Sequence, residues 1–211
     1  SSRARFTFDL VRPSLTTTVN SAFPWGANDG PVWAGRGFTA SVQAGLAAYH
    51  GPLSLTLAPI AFSSQNASFD LQNNSQAGDL QFADGRFPAN IDRPQRFGNG
   101  AYSRIDPGQS TLRIDLPVIA FGASTANQYW GPARQHPILL GNNAAGFPHL
   151  FLGSSAPLDV GFAEIHGRLV WGKLSQSDYT GVTGSARRRF MSGIIGVISP
   201  KGMKGLELGG A

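Results

Sequence analysis

The sequence predicts an all-β protein, an antiparallel up-and-down barrel of which this chain forms one partial domain over residues 1–211. Three observations predict it. Apolar and polar residues alternate with a period of two along most of the chain. Charged residues make up only 14% of the 211 positions while hydrophobic ones make up 41%, against roughly 25% charged in an ordinary soluble domain. The links between alternating segments switch between very short and long. A strand turns successive side chains to opposite faces, so each alternating segment has one apolar and one polar face.

Residues 3–11 set Phe6, Phe8 and Leu10 against Arg3, Arg5, Thr7 and Asp9. Residues 36–49 place Phe38, Ala40, Val42, Ala44, Leu46 and Ala48 on one face, with Thr39, Ser41, Gln43 and Tyr49 on the other. After a turn at 50–52, Leu53, Leu55 and Leu57 alternate with Ser54 and Thr56. Within 101–115, Leu112 and Ile114 alternate with Arg113 and Asp115; Pro117 marks a turn, and a strand returns through 118–126. Residues 160–174 put Glu164, His166 and Arg168 opposite Ile165, Leu169 and Trp171. Segments 187–198 and 205–210 follow the same rule. A short helical turn is expected only within 133–145.

The long links fall near 20–35, 65–100, 127–147 and 176–186, and the short ones near 50–52, 116–118, 155–159 and 199–204. If consecutive strands are antiparallel neighbours, every long link lies on one rim and every short one on the other. Outer-membrane barrels have that asymmetry, with an apolar outside and a polar inside. About nine strands are expected, the last incomplete. Bare strand edges are prohibitive in lipid, so the chain reads as a fragment of a larger, even-numbered barrel that is monomeric at full length. Both ends alternate as if cut inside strands, which agrees with that reading.

The net charge is +5 and the isoelectric point about 10.1. Arginine dominates the basic residues, and it suits planar anions. Acidic glycan, anionic headgroups and internal salt bridges all remain open as its use. No aromatic nucleic-acid-binding motif occurs, so nucleic acid is not expected as a partner. There are no cysteines, and no metal or cofactor is expected. His136 and His149 are too far apart for a metal site and lack a nearby carboxylate. The 65–97 segment is expected to be polar and exposed, with solvated ion pairs among its aspartates and arginines. Two glutamates, Glu164 and Glu207, give little basis for glycosidase chemistry, which uses paired carboxylates. No catalytic residue is expected.

Two links carry binding chemistry. The 20–38 stretch combines Trp25, Asn28, Asp29, Trp33 and Arg36 with turn glycines. The 127–151 stretch offers Tyr129, Trp130, Arg134, Asn142 and Asn143, with His136 and His149. Aromatic faces stack on sugar C–H surfaces, while amides, carboxylates and guanidinium groups bond hydroxyls and acids. These ten residues are the candidate polysaccharide-binding set. The competing reading makes both stretches loops folded inward and packed by their own aromatics.

Three strings together resemble the Wzi-type capsule-assembly proteins: "NSAFPWGANDGPVWAGRG" (20–37), "STANQYWGPARQHPILLGNNAAGFPHLFL" (124–152) and "HGRLVWGKLSQSDY" (166–179). The most specific part is Trp130-Gly131-Pro132 followed by Asn142-Asn143-Ala144 and then Phe147-Pro148. The resemblance implies an outer-membrane barrel of about eighteen strands, a surface lectin that holds capsular polysaccharide on the cell and is not an enzyme. The expected location is the bacterial outer membrane with the long links facing out. The expected partners are capsular or acidic surface polysaccharide, outer-membrane lipid and lipopolysaccharide. A porin or glycan-export channel is the alternative.

Overall fold

A computed structural model describes residues 5–133, 137, 139–182 and 187–211. Its strands are β1 (Thr7–Asn20), β2 (Gly37–His50), β3 (Leu53–Leu57), β4 (Ile60–Ser64), β5 (Tyr102–Asp106), β6 (Thr111–Asp115), β7 (Ile119–Ser124), β8 (His149–Ser154), β9 (Leu158–Asp159), β10 (Ala163–Ser175), β11 (Arg188–Pro200) and β12 (Leu208–Gly210). They form one 12-stranded antiparallel sheet. β3 and β4 pair with successive halves of β2, so they are one returning path interrupted at Ala58 and Pro59. β5 and β6 pair with β4 and β3 and form the next path, interrupted around Pro107 and Gly108. Proline has no N–H for a ladder, so both breaks fall where pairing stops. The two breaks touch: Ala58 bridges Gly108, whose φ of +60° and 2.3 Å approach of a would-be Cβ to the Ala58 carbonyl leave room for glycine alone.

β8 and β9 pair with successive parts of β10 and form one more such path, so among the described residues the strands make nine paths, each antiparallel to its predecessor in the chain. The long links 21–36, 65–101, 125–148 and 176–187 therefore share one rim, and the short ones 51–52, 116–118, 160–162 and 201–207 share the other. This is the predicted asymmetry. Among the described residues β1 has β2 as its one neighbour and β12 has β11, so the ladder does not close on itself.

The faces are inverted relative to a water-soluble sheet. On β2, Thr39, Ser41 and Ala47 are buried while Phe38, Val42 and Leu46 stand exposed. Register carries this across the sheet: Thr39 lies opposite Ser64, and Ser124 opposite His149, all buried. On the opposite face Leu15 is 73%, Ile105 80% and Phe190 93% exposed. The long links lie against the polar face, termed the inner face below.

β1 runs to Asn20, beyond the alternating segment expected to end at residue 11. Between Val11 and Ser14 the register slips by one residue opposite Gly45 and Gln43. This bulge at Arg12 and Pro13 inverts the alternation, which is why the period-two pattern stops there. The predicted segments 118–126, 160–174, 187–198 and 205–210 correspond to β7, β10, β11 and β12.

The 65–101 link departs most from expectation. Asn66, Phe82, Ala83, Asp84 and Arg96 are buried, not solvated. Arg96 donates to the Asn66 carbonyl at 3.1 and 2.8 Å and to that of Asn99 at 3.0 Å. The Asn66 amide donates to the carbonyls of Phe97 and Gly100 at 2.9 and 2.8 Å and accepts from the Trp33 indole at 3.1 Å. Buried polar groups are tolerated when paired in this way. Around them Phe97 stacks on Tyr102 at 4.4 Å and meets Trp33 and Tyr179 edge-on at 4.8 and 5.7 Å. Phe82 meets Tyr179 at 5.7 Å. The link also contains a 3-10 turn, Gly78–Phe82, which alternation does not reveal. The helical turn expected within 133–145 falls partly on 134–136 and 138, outside the described residues; its described remainder is not helical.

Candidate functional site

The 21–36 link is closed by its own backbone. The Asn20 amide donates to the carbonyls of Trp25 and Ala34 at 2.9 and 2.8 Å, and Trp25 N–H to Ala34 at 3.2 Å. Asn28 and Gly30 take positive φ, 63° and 62°, as the Asn-Asp-Gly turn predicts. The Asp29 carboxylate accepts from the Ala27 N–H at 3.2 Å. Arg36 donates to the Ser21 carbonyl at 3.1 Å and to that of Ser68, so its guanidinium ties two links together.

The 125–148 link is held by amides. Asn127 donates to the carbonyls of Gly141 and Ala144, both at 2.9 Å, and exchanges hydrogen bonds with Gln109 at 2.8 and 3.1 Å. The Trp130 ring lies against Gly193 of β11, where a Cβ would come within 2.5 Å of it. The two links then join. Gly30 N–H donates to the Asn142 carbonyl at 2.9 Å, and the Asn142 amide to that of Asn28 at 2.6 Å.

That junction roofs a polar cavity of about 430 Å³. Its floor is hydroxyl and amide groups of the inner face: Ser14, Thr16 and Thr18 of β1 with Thr39, Ser41 and Gln43 of β2. Its wall is Asn28, Asp29, Tyr129 and Asn142. A second cavity, about 360 Å³, lies further toward the short-link rim and shares Tyr129. It is lined by Trp130, Gln128, Arg113, His166 and Arg168. Arg113 is paired with Asp115 by two contacts, 2.8 and 2.6 Å. The Arg168 guanidinium sits 4.8 Å over the Phe151 ring. The inner face thus carries two adjoining cavities, the first polar and the second mixed, with Tyr129 shared between them.

Of the candidate residues, the structure brings Asn28, Asp29, Tyr129 and Asn142 to the first cavity and Tyr129 with Trp130 to the second. Trp33 is half-buried against Phe97 and bonded to Asn66, so it packs the neighbouring link. Trp25 and Asn143 are exposed and lie outside both cavities. Arg134 and His136 lie outside the described residues. His149 is buried, with its Nδ1 2.7 Å from the Phe147 carbonyl.

Sequence reasoning passed over Ser14, Thr16 and Thr18. The signal was present as hydroxyls at every second position of "SLTTT", displaced in phase by the bulge at Pro13. Arg113 and Arg168 had been placed on polar faces, but nothing local says that two strands so far apart in sequence line one cavity. No protein-family model, curated protein or solved structure matches the chain.

Proposed function

We propose that this chain is part of an outer-membrane β-barrel that binds surface polysaccharide, a lectin-like component of capsule assembly of the Wzi type, without enzymatic activity. The observation that carries the reading is the hydroxyl- and amide-lined cavity walled by Tyr129, on the face opposite the exposed apolar one. Hydroxyl and amide groups around an aromatic ring, with the Asp29 carboxylate as a further acceptor, suit a sugar, which offers hydroxyls and an apolar C–H face.

The apolar face supports the membrane part of the proposal. Outward positions of β2 run from Phe38 to Ala48. At about 3.3 Å per residue and a tilt near 45°, they cover about 23 Å of membrane normal, close to the height of a barrel's apolar band. Exposed Phe8, Phe121 and Phe162 lie toward the short-link rim, and Phe38, Trp171 and Phe190 toward the long-link rim, as interfacial aromatic girdles would. The long links then face the exterior, where lipopolysaccharide and capsule are met.

The test uses the full-length protein. It is expected to need detergent for extraction, and to bind capsular oligosaccharides with a change in tryptophan fluorescence that Tyr129→Ala weakens about tenfold. Extraction into plain buffer, or oligosaccharide binding indifferent to Tyr129, overturns the reading. Steady large conductance in planar bilayers would favour the channel alternative.

A further inference from the structure

We propose that Arg168 is the anchor for a carboxylate-bearing sugar, a hexuronic acid unit, held in the second cavity while the neighbouring neutral unit occupies the first. This rests on the polysaccharide reading above and adds a position-specific charge to it. Two arginines line the second cavity, and they differ in one respect. Arg113 is matched by Asp115. Among the described residues Arg168 has no carboxylate within ion-pair distance, and its one close partner is the Phe151 ring. Glu164 shares the inner face by register with Arg168 and His166 but does not line this cavity.

The Arg113–Asp115 pair cancels, which leaves the Arg168 guanidinium as the one unbalanced arginine charge at this cavity. That matches a hexuronate, which carries one negative charge at neutral pH, better than a phosphate monoester, which carries about 1.5 to 2. A guanidinium offers a planar fork to a carboxylate. Its seat over the Phe151 ring keeps the Arg168 head group oriented. Trp130 and Tyr129 supply the aromatic surfaces for the sugar ring itself. The shared Tyr129 puts the two cavities at adjoining positions, so a glycan crossing it presents different units to each. The neutral hydroxyl floor receives one, and Arg168 the other.

The experiment titrates full-length protein in detergent with methyl glucuronoside, its uncharged amide, methyl glucoside and inorganic phosphate, reading tryptophan fluorescence. The glucuronoside is expected to bind about tenfold or more tighter than its amide or the glucoside. Arg168→Gln should abolish that preference, and Arg168→Lys should restore part of it. The comparison between acid and amide needs no variant, so a misfolded substitution does not blunt it. Equal binding of acid and amide, with neutral sugars still bound, overturns the Arg168 assignment alone. Displacement of glucuronoside by equimolar phosphate also overturns it, since that marks a general anion site. Absence of all sugar binding overturns the proposed function with it.

Discussion

The 65–101 and 125–148 links leave the same rim and lie against the same sheet, yet they are built on opposite principles. In 65–101 the polar side chains turn back on the link's own backbone. Asn66, Arg96 and Asp84 are buried, and their bonds close the space between them. In 125–148 the Asn127 amide ties distant parts of the backbone together, while Tyr129 and Trp130 line open cavities. The first link is a packed unit, latched to the 176–187 link where Ser177 N–H donates to Asp92 at 2.6 Å and Gly181 N–H to Pro88 at 3.0 Å. The second is a scaffold for surfaces. The difference teaches that polar composition does not distinguish a solvated loop, a packed loop and a binding loop. The direction of the side-chain hydrogen bonds does.

The sharpest way to break the comparison is Arg96→Ala. It strips the buried Asn66 carbonyl of two charged donor contacts and the exposed Asn99 of one, which costs about 3 kcal/mol. Limited proteolysis should then cut within 65–101 while 125–148 keeps its wild-type cleavage rate. Equal protection of both links would show that the packed unit does not depend on these bonds.

Gly30→Ala acts on the other side of the comparison. Its φ of +62° disfavours a side chain, and the added Cβ would meet the Asn142 side-chain oxygen at 2.7 Å. The strain is about 1–2 kcal/mol. Separation of the two links should weaken oligosaccharide binding about tenfold with a melting temperature close to wild type. A matching loss of global stability would mean that the junction is structural.

Acid sharpens the contrast. The Asp84 carboxyl is held below its ordinary value of 3.8, first by the N–H groups of Phe87 and Arg86, then by Arg93, against the opposing effect of burial. A lowered folded value means that its stabilisation is fully present above the ordinary carboxylate value. It is lost as pH falls through the folded one. Protection of 65–101 should therefore fade below about pH 4, and Asp84→Asn should flatten that acid limb. Hydrogen exchange against pH checks it.

The smallest effect is expected at Trp25. It is exposed and outside both cavities, so Trp25→Ala should change stability by no more than about 0.5 kcal/mol and binding by less than twofold. Trp130→Ala, in contrast, should weaken binding while the sheet still forms.

Much of the fold was legible in the sequence because a strand's two faces repeat every second residue. The inversion on β2 is written in Phe38, Val42 and Leu46 against Thr39, Ser41 and Gln43. The site was legible in part. The Asn-Asp-Gly turn and the aromatic links announced themselves locally. The role of Arg36 did not, because the carbonyls of Ser21 and Ser68 that it binds are distant partners. Nor did the burial of Asn66, which reads as an exposed polar residue until Trp33 and Arg96 converge on it.

By itself the sequence determined the alternation, the strand paths and the division of links between two rims, since each follows from nearest-neighbour geometry along the chain. The tertiary structure alone decided which polar groups are buried and which line cavities. Contacts such as Asn28 with Asn142, 114 residues apart, arise only when the sheet brings separate links to one face. Their physics is the pairing of desolvated polar groups, and no local pattern encodes the partner.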